Sequence, residues 1–103
     1  MVTLTKNLKE VGSLVSGSDS KQIRSGFVVL EKGKEMREHE TGGGEELIVF
    51  LEGKAELAIG REARTIQAPA VALIPAHTRH GIKNKWGALL KYVYVYVTAL
   101  DSS

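Results

Sequence analysis

Apolar residues recur at every second position in short runs, the period that places successive side chains on opposite faces of a strand. Gln22 to Glu31, rich in Val, Phe and Ile, predicts one such strand, turned by Lys32 and Gly33. Further strands are predicted over Met36 to Thr41, Glu45 to Leu51, Ala55 to Ile59, Glu62 to Ile66, Ala70 to Ile74, His80 to Asn84 and Ala88 to Thr98. Two of them are apolar on both faces. Ile48 and Phe50 oppose Leu47, Val49 and Leu51, and in the last strand Tyr92, Tyr94 and Tyr96 alternate with Val93, Val95 and Val97. Gly42, Gly43 and Gly44 allow a sharp turn before Glu45. Ahead of all this, Asn7 and Glu10 have the spacing of a capping box and predict a short helical turn from Leu8, ended by Gly12 and the polar stretch Ser16 to Lys21. No heptad or longer repeat interrupts the pattern. Short strands joined by Gly-rich turns argue an all-β sandwich or barrel.

Length and composition narrow this picture. A chain of 103 residues, 43% hydrophobic and 25% charged, fits one domain over residues 1–103 with a single core. The formal charge is +2, and Lys and Arg are spread among Glu with no basic stripe, which argues against a nucleic-acid partner. No apolar run approaches the ~20 residues of a membrane helix or the length of a signal peptide. The absence of Cys removes thiolate chemistry and disulfides, so a cytoplasmic location is expected and any site rests on His, carboxylates and hydroxyls. The outward apolar rows need cover. A homodimer burying sheet against sheet supplies it, as would the N-terminal 20 residues folding back over the patch.

Strand alternation also sorts the candidate chemistry. His39 shares a face with Thr41, Glu46 with Ile48 and Phe50, and His80 with Ile82 and Asn84. These residues stand at fixed spacings: Gly33, His39, Glu46 and Gly53 match G(X)5HXH(X)3-4E(X)6G, with Thr41 at the second His. Downstream, Pro75, His80 and Asn84 match G(X)5PXG(X)2H(X)3N, with Pro69 and His77 at its glycines. On these motifs, spanning 33–84, the chain resembles the cupin superfamily, and specifically its small single-domain, conserved-barrel members.

The resemblance implies a double-stranded β-helix, a jelly-roll-like barrel. It also implies one divalent ion, Fe, Mn, Ni or Zn, on His39, Glu46 and His80, with positions left open. Thr41 is then expected to point at the metal from the place of the missing imidazole. Thr41, His77 and Asn84 would support the site from behind the ligands, His77 from an exposed turn and Asn84 structurally. Arg79 is expected to be a solvated charge, while Met36, Ile48, Phe50, Ile82 and Trp86 are candidates to narrow the pocket. Two functions follow from such a site. One is a metal-dependent enzyme, of oxygenase or isomerase type, acting on a small oxygenated molecule; the other is a non-catalytic binding or sensing module with or without metal.

Overall fold

The computed structural model describes residues 4–99. Nine strands follow in order: β1 Gly12–Val15, β2 Ile23–Leu30, β3 Glu35–Glu40, β4 Glu45–Glu52, β5 Lys54–Ile59, β6 Glu62–Gln67, β7 Ala70–Ile74, β8 Arg79–Lys83 and β9 Leu90–Val97. The expected strands all form, with ends moved by one or two residues. Beyond them, the structure adds β1. No helix occurs among the described residues, so none is long and apolar enough to cross a membrane. Leu8 and Lys9 form a turn, not the helical start their spacing predicted. The isolated cap precedes no apolar helical stripe, so nothing pays the nucleation cost.

Two antiparallel sheets face one another in the double-stranded β-helix arrangement, ordered β1-β2-β9-β4-β7 and β3-β8-β5-β6. Alternation decides their inner faces. On β4, Glu46, Ile48 and Phe50 are buried while Leu47 and Leu51 are exposed. Register then carries this parity across the sheet, because Ile48 pairs Tyr94 and Phe50 pairs Tyr92, which turns the Tyr row of β9 inward and its Val row outward. From the other sheet Ala55, Leu57 and Ile82 close the core against Ile48, Phe50, Ile74 and Tyr92. The β5–β6 hairpin turns at Gly60, whose φ of 59° lies in the left-handed region that costs a side-chain-bearing residue free energy.

Asn84 locks the end of the barrel away from the turns that carry His77. Its amide donates to the carbonyls of Leu30 and Ala88 at 2.8 and 2.9 Å and its Oδ1 accepts from the Trp86 amide at 2.9 Å. The side chain is 1% exposed. Its role is therefore structural.

The outer face of the five-stranded sheet carries the apolar row anticipated from sequence. Val71 and Leu73 on edge strand β7 are 64% and 60% exposed, beside Leu47, Val49, Val93 and Val95. Among the described residues, the N-terminal segment does not cover them. It adds β1 at the opposite edge, where Gly12 pairs with Phe27.

Candidate metal centre

β3 and β8 run antiparallel, and their register sets His39 opposite His80. Regular alternation would not give a working face here. Met36 and His39 are three residues apart, so an unbroken strand would point them to opposite sides. The register slips by one residue between them, because Met36 pairs Ile82 while His39 pairs His80. This bulge brings both side chains into one cavity. Gly81 makes it possible, since a Cβ there would lie 2.9 Å from Glu38 Cγ and 3.1 Å from the Glu38 nitrogen. The two imidazole rings end with centroids 4.3 Å apart at 57°.

Each imidazole is oriented by a backbone carbonyl two residues earlier in the chain. His39 Nδ1 donates to the Arg37 carbonyl and His80 Nδ1 to the Thr78 carbonyl, both at 3.1 Å. A neutral ring held this way carries its lone pair on Nε2, the atom a metal would take; without metal, His80 Nε2 donates instead to Glu46. Glu46 arrives from the opposing sheet and places Oε2 2.8 Å from His80 Nε2. His80 and Glu46 are buried, whereas His39 is exposed on its strand. The Glu46 hydrogen bond raises the His80 pKa above its ordinary value, opposed by burial and helped by the Thr78 carbonyl.

The donor set fits a divalent ion. One ligand atom each from His39, Glu46 and His80 all lie within 4.8 Å of one another. Metal–N and metal–O bonds of about 2.1 Å put adjacent ligands ~3 Å apart and opposed ones ~4.2 Å apart. The His80–Glu46 contact already matches an adjacent pair. Closing the rest requires the exposed His39 side chain to move by up to roughly 2 Å.

The three candidate ligands lie at a cavity of about 220 Å³ with walls of Met36, Ile48, Ile82, Tyr92 and Tyr94. Of the residues expected to narrow it, Phe50 and Trp86 do not line it. Phe50 packs behind Tyr92 with ring centroids 5.8 Å apart, and Trp86 sits in the loop after β8 with the Lys54 ammonium 5.9 Å from its ring. Tyr92 and Tyr94 were not anticipated. The alternating row marked them as one face, but alternation alone does not say which face is inner. Burial raises the Tyr92 pKa well above that of an ordinary phenol, and its hydroxyl finds no hydrogen-bond partner among the described residues. An unpaired buried donor costs about 1–3 kcal/mol. A larger concavity of about 360 Å³ is edged by Glu35, Arg37, Glu38, Glu56, Arg79 and Lys83. Most of its charges are paired, Lys83 with Glu35 at 3.6 Å, Arg79 with Glu38 at 3.9 Å and Glu56 with Lys85, and it gathers no ligand set among the described residues.

Thr41 departs from expectation. β3 ends at Glu40, so alternation no longer governs the next residue, and the Thr41 hydroxyl donates to the Thr78 carbonyl at 2.8 Å. It does not line the cavity. Thr41 instead shares an acceptor with His80 Nδ1, and so supports the site through that carbonyl. His77 occupies the exposed turn, at a positive φ of 54°, with Nδ1 3.5 Å from Glu40. Its amide donates to the Gly42 carbonyl at 2.7 Å. It does not line the cavity either.

The sequence profile of the Cupin domain family matches residues 26–96. Solved structures of similar fold include the cupin domain of Schizosaccharomyces pombe Cnp3, with TM-score 0.77 at 19% identity, covering 85% of this chain and 59% of that one. A predicted oxalate decarboxylase from Thermotoga maritima gives 0.79 at 20% identity over 84% of this chain and 77% of that one. A Cupin 2 conserved barrel domain protein from Salinispora arenicola gives 0.79 at 18% identity, covering 96% and 92%. At these identities the likeness shows the fold alone. No curated protein matches the sequence.

Proposed function

We propose that this chain, which belongs to the cupin family, is a single domain over residues 1–103 that binds one divalent ion, Fe, Mn, Ni or Zn, through His39, Glu46 and His80. The observation that carries the reading is the convergence of two Nδ1-anchored imidazoles and a buried carboxylate at a largely apolar cavity. A carboxylate and an imidazole drawn together away from bulk water, with a second imidazole beside them, suit a cation shared among all three. Bound there, such an ion supplies Lewis acidity toward an oxygen ligand, and redox capacity if it is iron. The chain's own part is to orient: the Arg37 and Thr78 carbonyls hold the ring tautomers, and Met36, Ile48 and Ile82 keep water from the bound molecule. We assign it as a metal-dependent enzyme, of oxygenase or isomerase type, on a small oxygenated molecule.

A second reading, a binding or sensing module, is favoured by one observation. Apart from the three ligands, the cavity walls carry no carboxylate, imidazole or amine to move a proton, only two phenols. A homodimer through the Val71 and Leu73 face and a cytoplasmic, Cys-free setting belong to either reading.

Elemental analysis of protein purified without chelator or nickel resin tests the common premise. About one divalent ion per chain is expected, lost in His39→Ala, Glu46→Ala and His80→Ala and kept in His77→Ala. Equal metal in the wild type and His80→Ala refutes it. Turnover of a small diketone, keto acid or phenol by some metal form favours the enzyme; saturable binding without conversion favours the module.

A further inference from the structure

Gly26 lies buried in the middle of β2 and is not among the glycines of positive φ, so no turn or left-handed backbone requires it there. A residue without a side chain weakens a strand interior. Space is what requires it. A Cβ at Gly26 would lie 2.5 Å from Tyr94 Cε2, 2.7 Å from its Cζ and 2.6 Å from its hydroxyl oxygen, well inside the ~3.5–4.0 Å at which such atoms attract. Gly26 and Tyr94 are partners in the β2–β9 register.

This approach fixes how the ring lies. A side chain on a strand ordinarily stands across the sheet, and facing sheets are about 10 Å apart, so a phenol standing on β9 would reach deep into the space between them. The Tyr94 ring instead tilts sideways, with its hydroxyl end resting on the bare backbone of the neighbouring strand. From there it packs half-buried against the core. The space it leaves belongs to the cavity of about 220 Å³ that it lines with Ile48, Ile82 and the three candidate ligands. On the other side of β9 the partner of Tyr94 is Ile48. A ring driven off Gly26 therefore meets Ile48 or the opposing sheet, and both directions lead into the cavity.

We infer that Gly26 sets the size of ligand admitted to the His39, Glu46 and His80 centre, by giving the Tyr94 ring a place to lie outside the space the ligand fills. The ligand class that fits is an oxygen-chelating head on the ion with a compact apolar body against Ile48, Ile82 and Tyr94, since the cavity falls below the ~300–1,000 Å³ of sites for drug-sized molecules. The inference rests on the metal reading above and adds the residue pair that limits the body. A ring laid over a strand glycine also shields its backbone, a purely structural service; the size of ligand accepted separates the two roles.

Cobalt(II)-loaded wild type, Gly26→Ala and Tyr94→Ala are titrated with acetohydroxamate, benzohydroxamate and naphthohydroxamate, following the visible spectrum of the ion. The probes chelate through the same two oxygens and differ only in the body they carry. Cobalt content and melting temperature of each protein are measured alongside. Gly26→Ala should take up cobalt as the wild type does and bind acetohydroxamate within about twofold, while benzohydroxamate affinity falls about tenfold, ~1.4 kcal/mol, as the displaced ring crowds the cavity. Tyr94→Ala vacates the place over Gly26 and should favour naphthohydroxamate over acetohydroxamate about five- to tenfold more than the wild type does.

A wild type that takes up no cobalt overturns the metal reading and this inference with it. Cobalt uptake without benzohydroxamate binding in the wild type overturns this inference alone. So does a folded Gly26→Ala protein whose preference between acetohydroxamate and benzohydroxamate is unchanged, whatever its melting temperature. Should Gly26→Ala not fold, Tyr94→Ala decides: a shift toward the naphthyl probe upholds the inference and an unchanged preference overturns it.

Discussion

Replacing Glu46 by Gln in the metal-free protein isolates the buried contact on which the site is built. The variant keeps a side chain of the same shape beside His80 but removes the charge that holds the imidazolium. In the wild type His80 Nε2 lies 2.8 Å from Glu46 Oε2, and this contact is the largest cause of the raised His80 pKa. A group whose folded pKa exceeds its unfolded value of about 6.5 contributes stability that is fully present below pH 6.5 and lost as pH rises through the folded value. Hydrogen bonds to charged groups contribute about 1.5–3 kcal/mol. Glu46→Gln should therefore cost roughly that much at pH 6 and clearly less at pH 9, because the wild-type contribution is lost as pH rises through the raised His80 pKa. Urea denaturation with chelator present, at both pH values, gives the two differences directly. An equal cost at pH 6 and pH 9 refutes the reasoning, because the pair would then contribute packing and not charge. The same proton competes with metal, so in the wild type metal affinity should fall as pH drops through the raised His80 pKa.

Gly81→Ala pushes a methyl against Glu38, 2.9 Å from its Cγ; the expected cost is about 1–3 kcal/mol, together with weaker metal binding as the bulge shifts His39, and an unchanged metal titration speaks against the bulge as the device that sets the site. Light scattering should show a dimer at micromolar concentration, converted to a monomer near 11.2 kDa by Leu73→Lys; a monomeric wild type removes the assembly reading. Thr41→Val removes the hydroxyl bond to the Thr78 carbonyl and should cost about 1 kcal/mol in thermal unfolding while leaving metal stoichiometry intact. Loss of the ion on that change would place Thr41 among the ligands after all.

Much of this was legible because strand parity is a local property. The period-two runs gave eight of the strands, and the fixed spacing of His39, Glu46 and His80 named the group that the fold gathers within 4.8 Å. What parity cannot carry is a change of register. The bulge between Met36 and His39 depends on Gly81 in a different strand, and nothing near Met36 announces it. Thr41 failed for a related reason, since alternation was extended one residue past the end of β3. β1 was missed because Gly12 and Ser13 look like turn residues and pair only through the edge that β2 offers. The inward Tyr row was undecidable until pairing with Ile48 and Phe50 fixed it.

On β9, Tyr92 and Tyr94 line the ligand cavity while Val93 and Val95 face the outer apolar surface. One stretch of sequence therefore holds two traits in alternate letters. Point substitutions at even positions can drift toward a new ligand without touching the outer surface, and those at odd positions can remake that surface without touching the ligand. A single inserted or deleted residue enjoys no such separation, for it exchanges the two sets at once. Lineages of this fold are thus expected to diversify along β9 by replacement and to tolerate almost no change in its length.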